Sequence, residues 1–344
     1  MCTCHKPYCR RTHRTLISRR QLLKTMLLLA GGAAVPNIFG SSGGLAAKTP
    51  ALPPLLHANL FDGSRAMQHA AAQMQYIPRD TGSEGARLCG NYILAQMEAF
   101  GWQTEEQTFT YRNTPCRNLI GKRGSGPVLI IGAHYDTRRR ADNDPDPANR
   151  EMPVPGASDG ASGIAVLLEL ARVLVPEETG RTIWLVGFDA EDNGRLDGWD
   201  WIVGSRYMAD NLDITPDGMI LADMVGDADQ QLYYEGNSTV VLREAIWQVA
   251  ADLGYSSFIP RQRFTVLDDH VPFIQKGIPA VDMIDLDYPY WHTTADTLDK
   301  ISTASLETVG RTVQEWLLLG TPGLPQPEVL RRTFLPRIVR NQGT

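Results

Sequence analysis

Several kinds of residue are scarce in this sequence, and each shortage closes off a class of protein. Of 344 residues 5 are cysteines, and Cys2, Cys4 and Cys9 fall within the first ten positions. Cys4-His5 with Cys9 matches no zinc-module spacing, so thiolate metal binding is not the chemistry to look for. Only Cys89 and Cys116 remain further along the chain. In an oxidising compartment they suit a disulfide, and elsewhere two buried thiols; both readings stay open. The apolar stretch from Met26 to Val35 is about ten residues long, short of the ~20 that span a bilayer as a helix. Acid is absent from residues 1–47, which carry 7 Lys+Arg. The remaining 26 bases therefore face all 39 acids, a net of −13 against −6 for the whole chain. So negative a body excludes nucleic acid as a partner. No internal repeat, low-complexity tract or composition shift after residue 50 marks a second domain.

The chain as a whole has the balance of an ordinary soluble globular protein, with 43% hydrophobic and 21% charged residues, 31 Gly and 22 Pro. The acid-free start reads as an address. Ser18-Arg19-Arg20-Gln21-Leu22-Leu23-Lys24, the short apolar stretch and the small-residue tail Leu45-Ala46-Ala47 resemble a twin-arginine export signal. No Cys follows the tail, so no lipid anchor is expected there, and stable membrane insertion would need an uncleaved signal. The expected organisation is a signal over 1–47 and one catalytic domain over 48–344. Asn237-Ser238-Thr239 matches a glycosylation sequon that a bacterial-type signal makes irrelevant.

Periodicity predicts an alternation of strands and helices. Helices are expected from Ala66 to Tyr76, from Ser83 to a stop at Gly101, from Val240 to Leu253 and from Ser305 to Leu319. Strands are expected over Thr108–Tyr111, Gly218–Met224, Leu232–Tyr234 and Ala280–Ile284. The unbroken apolar runs Val128–Ala133 and Ile183–Phe188 suit strands covered on both faces, and Ile164–Leu174 between them suits a buried crossover helix. The expected class is α/β: one three-layer αβα domain with a mixed, mostly parallel central sheet.

Candidate chemistry gathers where these strands end. His134 and Asp136 follow the first buried strand, and Asp189, Glu191 and Asp192 the second. Asp159 lies in Gly-Ala-Ser-Asp-Gly-Ala-Ser-Gly before the crossover helix, Asp223 ends the next strand, and Asp268-Asp269-His270 and His292 sit in later loops. Loops beyond the carboxyl ends of strands in an open sheet converge on one crevice. Taken singly, Asp159 suits a helix cap, Asp268 a loop cap, and each histidine ordinary packing. Taken together, carboxylates and imidazoles without thiolates, and a glutamate beside a second carboxylate, are what a catalytic zinc site requires.

The ordered segments GAHYDT (132–137), GASDGASG (156–163), FDAED (188–192), ADMVG (222–226), DDHVPF (268–273) and WHT (291–293) resemble the zinc aminopeptidases with co-catalytic metals and their relatives, the animal-type and bacterial glutaminyl-peptide cyclotransferases. The resemblance runs from about Ala66 to Leu319 and implies a zinc aminopeptidase-like fold. It implies zinc ligands at Asp159, Asp192 and His292, and a general acid/base at Glu191. Position 192 usually carries Glu, and a ligand one methylene shorter must bring its backbone nearer the metal. A second metal, bound in the aminopeptidases, falls on His134 and Asp223 with Asp159 bridging.

Three features favour the cyclotransferase branch. Peptidases generally have Ser where Asp268 stands, whereas cyclases have an acid that joins the equivalents of Glu191 and Asp223 in an acidic cluster. Trp291 matches an aromatic wall over the substrate. The insert from Arg138 to Pro147 and the AED form of the acid/base motif resemble bacterial members of that branch. The expected function is zinc-dependent conversion of N-terminal glutamine of peptides or proteins to pyroglutamate with release of ammonia. The resemblance implies Glu191, Asp268 and Asp223 as the catalytic group and one bound zinc. The alternative is an exported aminopeptidase with two zincs.

Overall fold

The computed structural model describes residues 60–326. In chain order the strands are β1 (Gln103–Tyr111), β2 (Thr114–Gly124), β3 (Val128–His134), β4 (Thr182–Phe188), β5 (Gly218–Asp223), β6 (Leu232–Glu235), β7 (Phe258–Phe264) and β8 (Ala280–Ile284). The helices are α1 (Gly63–Gln73), α2 (Glu84–Ala99), α3 (Ala161–Val173), α4 (Val203–Asp210), α5 (Val240–Asp252), α6 (Val271–Gln275) and α7 (Thr303–Leu318). Six strands form one sheet in the order β1-β2-β4-β3-β5-β8, and β6 and β7 form a separate parallel pair. β4, β3, β5 and β8 run parallel, while β1 and β2 join antiparallel at one edge.

The period of two in a strand divides the sheet's side chains between two cores. Leu129, Ile131, Ala133, Ile183, Leu185, Ile220, Ala222, Val281 and Met283 point to one face, where α1, α2, α3, α5 and α7 cover them. Ile130, Val186, Phe188, Met219, Leu221 and Ala280 point to the other, beneath Met208 and Ala209 of α4 and Phe273 of α6. This is the expected three-layer arrangement, and it explains the unbroken apolar runs: both faces of β3 and β4 are covered, with only Val128, Thr182 and Trp184 partly exposed. The crossover helix α3 is buried nearly all round, Glu169 included.

Local chemistry sets the helix starts. The Asp62 carboxylate accepts the Ser64 amide at 2.8 Å, the Ser83 hydroxyl the Ala86 amide at 3.0 Å and the Ser302 hydroxyl the Ser305 amide at 3.0 Å, each satisfying an amide at the start of its helix. Gly101 takes φ +82° just past α2, the left-handed stop expected of it. Cys89 in α2 and Cys116 in β2 are both buried and both free, so the thiol reading holds over the disulfide. The export-signal segment lies outside the described residues. None of the described helices is long and apolar enough to cross a membrane.

α3 crosses the sheet so closely that a side chain on Gly163 would meet the Ala222 carbonyl oxygen at 2.1 Å and the Ala133 Cβ at 2.8 Å. Helix propensity alone would make Gly163→Ala stabilising by about 1 kcal/mol. Overpacking against a backbone atom that cannot rotate away costs ~1–3 kcal/mol. Packing therefore wins, and Gly163→Ala is expected to lower the urea midpoint; a raised midpoint would show that α3 can slide off the sheet.

Candidate metal and catalytic site

His134 is the last residue of β3 and Asp223 the last of β5. Glu191 and Asp192 follow β4 through a turn in which Ala190 has φ +59°, and His292 stands in the loop after β8 with φ +57°. The chain passes from β3 through α3 to β4 on one side, then crosses β3 to build β5 on the other, which opens a crevice at the reversal. Asp159 enters it just ahead of α3. It does not cap that helix: the cap position is Gly160, and no side chain bonds there. Gly160 needs φ +90°, and a Cβ on it would lie 2.9 Å from the Asp136 carbonyl oxygen and the His134 ring, so only glycine lets Asp159 approach His134.

Two groups form around Asp159. His134 Nε2 lies 3.1 Å from Asp159 Oδ1 and 3.0 Å from Asp223 Oδ1. His292 Nε2 lies 2.9 Å from Asp192 Oδ1 and 3.6 Å from Asp159 Oδ2. Within each group one donor atom from every residue lies within 4.8 Å of the others, a spacing that can close on a metal ion. The groups differ in what they leave unsatisfied. Asp159 Oδ2 and Asp192 Oδ2 are buried with no hydrogen-bond partner, whereas the His134 imidazole already faces both of its carboxylates. A cation between Asp159, Asp192 and His292 would remove a desolvation penalty of ~1–3 kcal/mol or more for each orphaned oxygen.

Other side chains hold these groups in place. Asp136 accepts the amides of Glu191 at 3.1 Å and Asp192 at 3.3 Å, and the Thr81 hydroxyl at 3.0 Å. Asp296 accepts the amides of Ser158 at 2.8 Å and Asp159 at 3.1 Å, and the Tyr288 hydroxyl at 2.6 Å. The buried Arg138 donates to the Asp192 carbonyl at 2.7 Å and clamps Asp142 through both carboxylate oxygens. Residue 192 is thus pinned at both its N–H and its C=O, which fixes the backbone behind the short Asp side chain. The sequence placed Arg138 only in an insert, and Asp296 had no motif of its own.

Burial and mutual repulsion set the proton affinities. Glu191 is pushed well above the ordinary carboxyl range by burial, and by the charges of Asp192, Asp268 and Asp269, against the pull of His134. Burial, with Asp223 and Asp269 nearby, pushes Asp268 well above its ordinary value too. Asp192 is raised to about 6 by burial and by Asp159, against His292 and Arg138. Burial opposes ionisation of Asp159, yet the hydrogen bond and charge of His134, with His292, hold it below its usual value. Asp282 joins the acidic cluster from β8, raised by burial and by Asp268, Asp223 and Glu235; the sequence did not single it out.

The groups open into a cavity of about 300 Å³ lined by Glu191, Asp223, Asp268 and His292 and walled by Trp201, Trp291 and Leu267. The Trp201 ring stacks over His292 at 6.0 Å and 12°, with the Arg138 guanidinium 4.8 Å from its centre. Trp291 lies 4.0 Å from the same imidazole and also packs against Met224, Ile284 and Tyr288, so it is both wall and packing. Trp201 was missed: its loop has no strand or helix period. Asp268 Oδ1 accepts the neighbouring Asp269 amide at 2.6 Å, the local cap expected of it, and still faces the cavity.

A mostly parallel α/β sheet ending in paired aspartate–histidine groups, with a protonatable glutamate between them, defines a metal-dependent enzyme of exopeptidase-like architecture. The chain belongs to peptidase family M28, which matches residues 118–317. It is 28% identical over 295 residues to the glutaminyl-peptide cyclotransferase of Boiga irregularis, covering 70% of this chain and 77% of that protein. The glutaminyl cyclase of Porphyromonas gingivalis superposes with a TM-score of 0.70 at 34% identity, over 75% of this chain and 98% of that one. A leucine aminopeptidase precursor from Bacteroides thetaiotaomicron superposes with a TM-score of 0.71 at 32% identity, over 76% and 98%.

Proposed function

We propose that this protein is a glutaminyl-peptide cyclotransferase that carries one zinc ion and turns N-terminal glutamine into pyroglutamate. The observation that carries the reading is Asp268, a buried acid in the cavity that shares its charge with Glu191 and Asp223. The cyclotransferase relatives support it. When held by Asp159, Asp192 and His292, zinc supplies an electrophile that polarises the γ-carboxamide of the substrate. Glu191 takes a proton from the substrate's α-amine, whose nitrogen bonds to Cδ of its own side chain. The Cδ–Nε2 bond breaks, and Glu191 returns the proton to the departing ammonia. Because nucleophile and carbonyl belong to one residue, the cavity walls serve mainly to keep it folded and to exclude water, with Trp291 and Trp201 beside His292. Asp268 and Asp223 orient Glu191 and keep its proton affinity suited to both transfers.

An exported location, reached through the twin-arginine-type signal over residues 1–47 and followed by one catalytic domain over 48–344, belongs to the same proposal. Incubation with a Gln-initiated peptide and mass spectrometry tests the reaction. Loss of ammonia alone supports the cyclase; loss of a whole residue would replace it with the aminopeptidase.

Three expectations follow from these roles. Glu191→Gln should lower turnover by several orders of magnitude with zinc content near wild type, whereas His292→Ala should lose metal and activity together. Zinc loss in Glu191→Gln would show that residues 191 and 192 have been given the wrong roles. Metal analysis should find about one zinc per chain, and Asp268→Ser should cut cyclisation strongly; two tight zincs with cyclisation intact in Asp268→Ser would favour the aminopeptidase. Replacing Arg19 and Arg20 by Lys should leave the precursor in the cytoplasm, as fractionation and immunoblotting would show, and unchanged export would point to the general secretory route.

A further inference from the structure

The cavity is walled by acids, aromatic rings and aliphatic side chains, and one fixed cation, Arg195, stands among its lining residues. Three arginines outside that lining are already neutralised: Arg139 pairs with Asp80 and Asp197, Arg140 with Asp197 and Glu151, and Arg138 with Asp142. Arg195 is exposed, and among the described residues its guanidinium has no ion pair, hydrogen bond or ring contact. Its backbone, by contrast, is tightly held. Arg195 adopts φ +67°, a left-handed conformation that costs a non-glycine residue ~1–2 kcal/mol and persists only where its surroundings enforce it. The enforcement is visible: the Arg195 amide donates to the Trp199 carbonyl at 2.8 Å, the Trp199 amide to Leu196 at 2.8 Å and the Ile202 amide to Glu191 at 3.1 Å. One short loop therefore fixes the Trp201 wall and the backbone that carries Arg195 relative to Glu191. Leu267, 53% exposed, contributes an apolar side chain to the same cavity lining.

We infer that Arg195 reads a carboxylate on the substrate just beyond the glutamine, either the side chain of the second residue or the chain end of a dipeptide. The inference rests on the cyclase reading, in which glutamine fills the cavity with its amine toward Glu191 and the peptide leaves at the mouth. The long-range field of a chain this acidic favours cationic substrates, but at 0.1 M salt it is screened beyond ~10 Å. Choice between second residues is then decided at the rim. An exposed ion pair in direct contact changes kcat/KM by up to about fivefold.

The test is kcat/KM for Gln-Glu-amide, Gln-Gln-amide, Gln-Lys-amide and Gln-Gln with a free carboxylate. Gln-Gln-amide is the near-isosteric neutral control that cancels contact with Leu267. Wild type should prefer Gln-Glu-amide to Gln-Gln-amide by roughly threefold, mainly through KM, and disfavour Gln-Lys-amide, with the preference fading as salt is raised. Arg195→Gln should bring the three amides to within about 1.5-fold of one another while Gln-Gln-amide keeps its wild-type rate to within about twofold, and Arg195→Glu should invert the order. Preference for the free-acid peptide alone, lost in Arg195→Gln, would assign the carboxylate to the chain end. Equal rates in wild type, or a preference that survives Arg195→Gln, would overturn the inference while leaving the cyclase intact. No turnover of any of the four would remove the activity and this inference together.

Discussion

Packing many carboxylates into one dry end of a sheet is the constraint on which the rest of this structure depends. Asp136, Asp159, Asp189, Glu191, Asp192, Asp223, Asp268, Asp269, Asp282 and Asp296 are all 7% exposed or less. Ten ionised carboxylates at such depth would repel one another far more strongly than folding could tolerate. The structure answers in three ways. Some are met by backbone amides, as Asp136 and Asp296 are. Some keep a proton: burial and Asp136 raise Asp189 to about 7, and burial with Asp159 raises Asp296 to about 7. Asp159 Oδ2 and Asp192 Oδ2 have no hydrogen-bond partner, and a cation held there would answer that remaining charge.

The same constraint explains where the backbone is strained. Ala190, Met224 and His292, all with positive φ, adjoin or belong to the candidate metal and acid groups. Each bend turns a side chain at a strand end back into the crevice rather than outward. The cost falls on the backbone because the sheet beneath, covered on both faces, cannot yield.

How much of this was legible in the sequence followed from how closely pattern and burial agreed. β3, β4, β8 and α3 are buried nearly all round, so their apolar runs marked them to within a few residues. β2 was missed because Thr114, Pro115, Arg117 and Asn118 read as loop; it forms because Arg112 and Asn113, with φ +48° and +63°, make a two-residue hairpin turn without a glycine to signal it. β7 was missed because Arg261, Gln262 and Arg263 are exposed on a two-stranded pair. Among the side chains that the structure brings together, those carried by glycine-rich or acidic motifs stood out in the sequence. Arg138, Trp201 and Asp296 act through tertiary contacts with sequence separations of tens of residues or more, and a contact of that kind leaves no local period.

In the proposed roles, cyclisation and hydrolysis at such a site differ in the nucleophile that Glu191 would serve, the substrate's own amine or water, and in the carbonyl attacked, the side-chain amide or the first peptide bond. Every feature that keeps Glu191 protonatable favours a group that must both accept and return a proton within one turnover. Burial does so first, and the neighbouring charges of Asp192, Asp268 and Asp269 add to it. A hydrolase gains from the same tuning only if water can reach the acid. Here the two indole rings beside His292 and the apolar side chain of Leu267 bound a cavity of about 300 Å³, enough for a glutamine side chain that would displace water from the acid when bound. In the cyclase reading the acids supply proton affinity and the walls supply geometry. Neither suffices alone, because an unconfined glutamine seldom presents its amine to its own amide, and a confined one without Glu191 has nowhere to place the proton.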